Sequence, residues 1–260
     1  MVVITATQRD VILDAVRAMY TEVADEPDRE FHFPIGRAAA EFVGYPAQEL
    51  DALPVQSLES FAGVGYPFAA KRIAPGSVVL DIGSGSGTDA LIAARLVGAA
   101  GRVIGLDLTE AMRRKLHAII RGTGFLNIEV LDGNAEDIPL PSRSVDVVSS
   151  NGVLNLVPNK PQAFREIARV LKPGGGFQIA DIVVDTLPSD ACRAQPELWA
   201  ECIVGATTED DYVAKLQAAG LDDIRVLSRF DYFAHSASAE TRKVAAGFGA
   251  HTIVLQGSKD

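Results

Sequence analysis

Cysteine is scarce in this 260-residue chain, which has two, Cys192 and Cys202, alongside one tryptophan and four histidines. Two thiols make no disulfide framework at this length, so reduced thiols and a cytoplasmic setting are expected. The few His and Cys residues, with the Asp and Glu around them, show no metal-ligand spacing, and no metal site is expected. Basic residues are outnumbered too: 24 Lys and Arg face 34 Asp and Glu, for a net charge of -10. Nucleic-acid binders usually carry a basic face, so a nucleic-acid partner is not expected. No apolar run approaches the roughly 18 residues of a membrane span, so no membrane partner is expected either. The opening stretch MVVITATQRD has no basic n-region and no long apolar core, and no signal peptide is expected. Repeats and low-complexity tracts are missing. None of these features bears on oligomeric state.

What is present reads as an ordinary globular chain, 48% hydrophobic and 22% charged. Its length suits one large domain or two small ones. Residues 1–70 read as a helical and irregular cap segment. Thr7 and Asp10 suit a capping box, and Ile12, Ala15, Val16, Met19 and Val23 then recur at helical spacing. The stretch EPDREFHFPIGRAAAEF is less regular, and PAQELDALP suggests another short helix.

From residue 71 to 260 the pattern is that of a second unit, with strands and helices alternating. Strands are expected at Val78–Ile82, at Arg102–Asp107, and in NIEVLDG, VDVVSS and FQIADIVV. Helices are expected through DALIAARLV, from a Thr109 cap at Glu110 to about Arg121, and in PQAFREIARVL, which KPGGG should end. Later come a helix near Glu209–Ala219, the strand DIRVLSRF and a final strand AHTIVLQ. Near-continuous apolar strands between helices indicate an α/β fold, a parallel sheet covered on both faces. The turn-rich spacing before the last strand allows it to pair antiparallel with its predecessor.

The sharpest signal is VVLDIGSGSGTDA. A strand runs into the alternating glycines Gly83, Gly85 and Gly87, with Ser84 between, and then into a helix. Glycine lets the backbone approach a ligand and take unusual dihedrals. In such a sheet the ligand lies beyond the strand's carboxyl end. A nicotinamide-type loop would read GxGxxG, but Thr88 holds the sixth position. Asp81, just before the loop, suits a cationic amine, directly or through water. That favours S-adenosylmethionine (SAM), which carries an amino-acid tail and no pyrophosphate. Asp107, at the next strand end, can accept from both ribose hydroxyls. Leu108 and Met112 can pack on an adenine face, Asn134 can pair with its edge, and Ala135 leaves room for the ring. A dinucleotide-dependent oxidoreductase remains the alternative, and a glycine loop alone is common in structural turns.

These residues resemble the class I SAM-dependent methyltransferases. VVLDIGSGSGTDA, GRVIGLDLT, LDGNAEDIPLPSRSVDVV and RVLKPGGGFQIAD match that family's motifs in order and spacing over residues 73–185. The resemblance implies a Rossmann-like, doubly wound, seven-stranded sheet with the last strand antiparallel. It also implies SAM as methyl donor, S-adenosylhomocysteine as product and a small-molecule acceptor. GSGSGTDALIAARLVGAAGRVIGLDLT, SNGVLNLVPNK and LWAECIVGA, with GYPAQELDALP and FAGVGYP upstream, look like the arsenite methyltransferase group. That group holds trivalent arsenic with cysteine thiolates, typically three, which suit a soft centre. Here valine stands in Gly63-Val64-Gly65 and glycine in Ser150-Asn151-Gly152-Val153, where the pattern has thiols. Only Cys202 remains, and Cys192 has no counterpart. The expected activity is therefore methyl transfer to another small acceptor. Arsenite or organoarsenical methylation through Cys202, and SAM binding without transfer, are the alternatives.

Methyl transfer needs orientation and desolvation more than a covalent nucleophile. If the acceptor is a hydroxyl or amine, a base can help. Tyr20 and His32 are the candidates for a catalytic role, each against ordinary packing. Tyr66, Asn151, Asn155 and Cys202 are candidates for the acceptor pocket, and Asn151 also for the cofactor. Asn151 and Asn155 can equally belong to a plain strand-to-helix turn. Free cysteine is often a small buried apolar side chain, and Cys202 has that reading too. His235 is a candidate for the outer rim, His117 reads as a surface residue, and His251 as the structural start of the last strand.

Overall fold

Val79, Leu80, Val147 and Val148 sit on strands with no polar face, and both sides of each strand need cover. The computed structural model, which describes residues 4–189, 192, 195, 199, 203–236 and 238–260, shows how they get it. The strands are β1 (Val78–Ile82), β2 (Arg102–Asp107), β3 (Ile128–Asp132), β4 (Val145–Asn151), β5 (Leu171–Val183), β6 (Asp222–Phe230) and β7 (His251–Ser258). They form one seven-stranded sheet in the order β3-β2-β1-β4-β5-β7-β6. β1 to β5 run parallel, and β7 runs antiparallel to both neighbours. This is the Rossmann-like sheet with an antiparallel last strand that the sequence predicts.

Strand order turns back on itself between β1 and β4. The helices α5 (Thr88–Val97) and α6 (Glu110–Thr123) therefore cover one face, and α7 (Lys160–Val170) and α8 (Glu209–Ala218) the other. Alternate strand residues feed the two cores. Val79, Val103 and Val147 join α5 and α6, while Leu80, Ile104 and Val148 join Phe164 of α7 and Tyr212 of α8. Right-handed crossovers on either side of β1 produce this division and open a crevice at the strands' carboxyl ends.

The first seventy residues lie on the α5–α6 side. Helices α1 (Ala6–Asp25), α2 (Gly36–Phe42), α3 (Ala47–Asp51) and α4 (Val55–Glu59) place Val23, Ala40, Leu50 and Leu58 in the same core as α5 and α6. Both ends of α1 are tied down. Arg9 Nε donates to the buried carboxylate of Glu136. At the other end Lys115 Nζ of α6 donates to Ala24 O at 2.9 Å and to Ser60 Oγ at 2.8 Å. No helix among the described residues is long and apolar enough to cross a membrane.

Several local expectations are corrected. The capping box of α1 is formed by Thr5 and Gln8, two residues before the expected pair. Thr109 holds the N-cap position of α6 without a side-chain cap bond. KPGGG does not merely end α7: β5 begins at Leu171 and runs through it. No short turn joins β6 to β7, because helix α9 (Ala239–Phe248) fills that interval. Its apolar residues Val244, Ala245 and Phe248 pack on the α5–α6 face. The segment read as irregular contains α2, built on the run of three alanines.

Candidate active site

The carboxyl ends of β1, β2 and β4 open into a cavity of about 990 Å³ including its mouth. Its floor is the loop Gly83–Gly87, and one wall is Asp107, Leu108, Met112, Asn134 and Ala135. Leu13, Val16 and Tyr20 of α1 lie across the top, with Ser60–Gly63 beside them. Asn151, Gly152, Val153, Leu156 and Val157 form the far wall.

The loop keeps its shape through bonds to β2. The amides of Gly83 and Ser84 donate to Leu106 O at 2.7 and 3.1 Å. Gly83 has φ +73°, and a Cβ there would lie 2.2 Å from Val153 Cγ2. Both reasons require glycine. Asp107 is clamped by backbone: Gly85 N donates to Oδ2 and Thr109 N to Oδ1, each at 2.8 Å. Asn134 Oδ1 accepts from Glu136 N at 2.7 Å, which fixes the turn that carries Ala135.

Three buried carboxyls dominate the electrostatics. Asp81 lies beneath the loop, 2% exposed, and its Oδ2 has no hydrogen-bond partner among the described residues. Burial, with Asp89 and Asp107 nearby, pushes its carboxyl far above the usual range. Burial raises Asp89 to about 6, although the Tyr45 hydroxyl and the Asn151 amide pull the other way. Asp107 is raised by burial too, against the backbone donors that clamp it. None of the described lining residues is Lys, Arg or His. The site therefore fits a cation, such as the sulfonium and ammonium of SAM, and opposes a pyrophosphate. Asp107 would hold the ribose, the loop backbone would lie along the tail, and Leu108, Met112 and Ala135 would enclose the adenine.

The structure brings most of the expected residues together. Gly83, Ser84, Gly85, Gly87, Asp107, Leu108, Met112, Asn134, Ala135, Asn151 and Tyr20 all line the cavity. Others lie elsewhere. His32 stands edge-on to Phe33, with ring centroids 4.7 Å apart, and burial lowers its pKa. It is not among the residues that line the cavity. Tyr66 turns away and donates to Glu49 Oε1 at 2.8 Å. Asn155 is fully buried behind the wall, where its carbonyl accepts from Lys160 Nζ at 2.8 Å. Lys160 Nζ also donates to Val157 O and Gly205 O, and it stands over the buried Trp199 ring. Cys202 lies outside the described residues, while Cys192 packs beside the cluster of Ile12, Trp199 and Val204. His117 is exposed on α6, His251 opens β7, and His235 ends a single 3-10 turn.

Sequence reading missed Leu13, Val16, Asp89 and the Ser60–Gly63 edge. Asp89 carried a faint signal, as an acidic residue two positions past the loop's last glycine. The α1 residues carried none, because an apolar helix face looks the same over a core or a cavity.

A family model described as "Methyltransferase domain" matches residues 73–220. The chain belongs to that family. Within it the chain resembles the arsenite methyltransferases. It is 36% identical over 189 residues to one from Halobacterium salinarum, covering 73% of this chain and 48% of the relative. Another, from Aquipseudomonas alcaligenes, is 36% identical over 170 residues, covering 63% and 49%. The chain thus spans about half the length of these curated relatives. The crystal structure of an arsenic(III) S-adenosylmethionine methyltransferase from Chlamydomonas reinhardtii superposes with TM-score 0.70 at 30% identity, covering 82% of this chain and 73% of that one. A geranyl diphosphate C-methyltransferase from Streptomyces coelicolor shares the fold over 96% of this chain, with TM-score 0.65 at 18% identity. The site belongs to a class I SAM-dependent methyltransferase domain.

The raised carboxyls predict that SAM binding releases protons. Without cofactor, Asp89 holds its proton up to about pH 6, against an ordinary value of 3.8. A cation beside it favours the ionised form and lowers that pKa. Proton release should therefore set in as pH falls through about 6 and peak below it, between the free and bound values, and SAM affinity should fall over the same range. Titration calorimetry in buffers of different ionisation enthalpy measures the released protons.

Proposed function

We propose that the protein is a SAM-dependent methyltransferase for a small, uncharged, mainly apolar acceptor. The observation that carries this reading is the meeting of two positions that the arsenite methyltransferase pattern gives to thiols. A Cβ on Gly152 would lie 3.2 Å from Val64 Cγ1, so the two positions face one another. The valine methyls fill that contact, and Val64 is 2% exposed. Two hydrocarbon positions cannot hold a soft metalloid as paired thiolates do. The far wall adds Val153, Leu156 and Val157, while the carboxyls around the loop disfavour an anionic acceptor.

In this reading SAM, when bound, supplies an electrophilic methyl on an activated sulfonium. The protein orients the acceptor and keeps water out. Leu13, Val16 and Tyr20 close the top, and Tyr20 contributes the polar hydroxyl on the lid side. Residues 1–70 act as the cap, residues 71–260 as the methyltransferase domain. A small acceptor, rather than nucleic acid, suits the net charge of -10. We place the activity in the cytoplasm on the same reading, as expected for reduced thiols.

A methyl-transfer screen with labelled SAM against arsenite, thiols, phenols and amines tests the proposal. Transfer to a neutral organic acceptor, with arsenite inert, is expected. The relatives named as arsenite methyltransferases favour a second reading, arsenic methylation through Cys202. Under it, arsenite is the best acceptor and Cys202→Ser abolishes transfer. Absence of S-adenosylhomocysteine release with every acceptor in the panel would leave neither reading standing.

A further inference from the structure

Asp89 joins the cap to the cofactor loop. It sits in the first turn of α5, is 7% exposed and lines the cavity. The Tyr45 hydroxyl donates to Oδ1 at 2.5 Å, and Asn151 Nδ2 donates to Oδ2 at 3.1 Å. Both donors are neutral. Tyr45 is itself buried among Phe61, Tyr66 and Phe68 and is placed by the cap. The same Asn151 Nδ2 donates to Tyr45 Oη and Gly65 O, both at 2.9 Å. A carboxylate fixed on two sides by neutral donors, in a cavity whose described lining has no cationic side chain, suits a cationic ligand group.

The other two acids are less available. Asp81 lies under the loop and is not a lining residue. Asp107 spends an oxygen each on Gly85 N and Thr109 N and stands at the neighbouring strand end. Asp89 follows the loop directly and faces the cavity on the side of Gly63 and Asn151.

We propose that Asp89 receives the α-ammonium group of bound SAM, and that Tyr45 and Asn151 are positioning residues that hold it there. The inference rests on the SAM reading of the site. It also makes cofactor binding and the seating of Gly63–Gly65 a single event, because Asn151 serves both. Its Oδ1 accepts from Val64 N at 2.8 Å and Gly65 N at 3.2 Å.

The test compares ligands with and without the amino-acid tail. SAM, S-adenosylhomocysteine and 5′-methylthioadenosine are titrated into wild type, Asp89→Asn and Tyr45→Phe. The expected result for Asp89→Asn is a loss of roughly tenfold or more for the two tailed ligands, with methylthioadenosine unchanged. Tyr45→Phe should show the same selectivity with a smaller loss. Hydrogen exchange supplies a second readout. SAM should slow exchange of the Val64 and Gly65 amides in wild type and leave it unchanged in Asp89→Asn. Equal weakening of all three ligands would make Asp89 a mere loop support and overturn the proposal. Unchanged SAM affinity in Asp89→Asn would overturn it as well. Wild type that binds none of the three would instead overturn the SAM reading beneath it.

Discussion

Asp107→Ala should weaken SAM binding about 100-fold while leaving the sheet folded. Each hydrogen bond to an ionised acceptor contributes about 1.5–3 kcal/mol, and the carboxylate can take both ribose hydroxyls. Losing about 3 kcal/mol corresponds to roughly 100-fold in Kd. A second loss adds to the first. Asp107 also holds Gly85 N and Thr109 N, so the variant frees the middle of the glycine loop and the start of α6. A third term acts in the same direction: burial raises the Asp107 pKa, so removing the carboxyl relieves a desolvation cost in the empty protein. That gain goes to the unliganded state and therefore weakens binding further. Calorimetric titration reads the loss directly. A Kd within threefold of wild type would show that this carboxylate does not hold the cofactor.

The place of Asp107 in the cavity was legible because it depends on local order along the chain. A strand, a glycine loop, a helix and then a second strand ending in an acid bring loop and acid together in any parallel α/β sheet. The glycines, Met112 and Asn134 follow from the same rule. Asp89 and Tyr45 did not, because their bond joins residues far apart in sequence through the packing of the cap. Tyr66 shows the converse. Its neighbours Gly63–Gly65 do reach the site, but the ring turns to Glu49 and the aromatic cluster of Tyr45 and Phe68. Helix α9 escaped notice because it offers only a few apolar residues, Val244, Ala245 and Phe248, to the core. β5 ran past its expected start because Leu171 already pairs with Val145, across the irregularity that carries Lys172–Gly175. The glycines of Gly63-Val64-Gly65 read as flanks of a lost thiol. In the fold they are what allows the segment to press on β4 and β5. A Cβ on Gly63 would lie 2.5 Å from Asn151 Nδ2, and one on Gly65 2.7 Å from Ala180 Cβ.

Asn151→Leu should cost about 2–6 kcal/mol of stability, concentrated in the cap. The polar residues that end β4 are the reason. Asn151 Oδ1 accepts from Val64 N and Gly65 N, and its Nδ2 donates to Gly65 O, Tyr45 Oη and Asp89 Oδ2. Leucine has the same branched arrangement of heavy atoms and is bulkier, so no void forms, but it offers neither donor nor acceptor. Two backbone amides then lose their acceptor, at about 1–3 kcal/mol for each buried orphan. The methyls gained contribute less than this, since asparagine was already excluded from water on most sides. Two ties hold the segment in the variant: Thr252 Oγ1 still donates to Val64 O at 2.8 Å, and Gly36 N to Phe61 O at 2.8 Å. The core on the α7–α8 side contains no cap residue and stays intact, so the loss should appear as faster exchange at Val64 and Gly65 before global unfolding. Denaturant unfolding combined with hydrogen exchange separates the two. A midpoint shift worth less than about 1 kcal/mol, the size of one ordinary hydrogen bond, would mean that the cap stands without Asn151. In that case the polar end of β4 would serve the ligand alone.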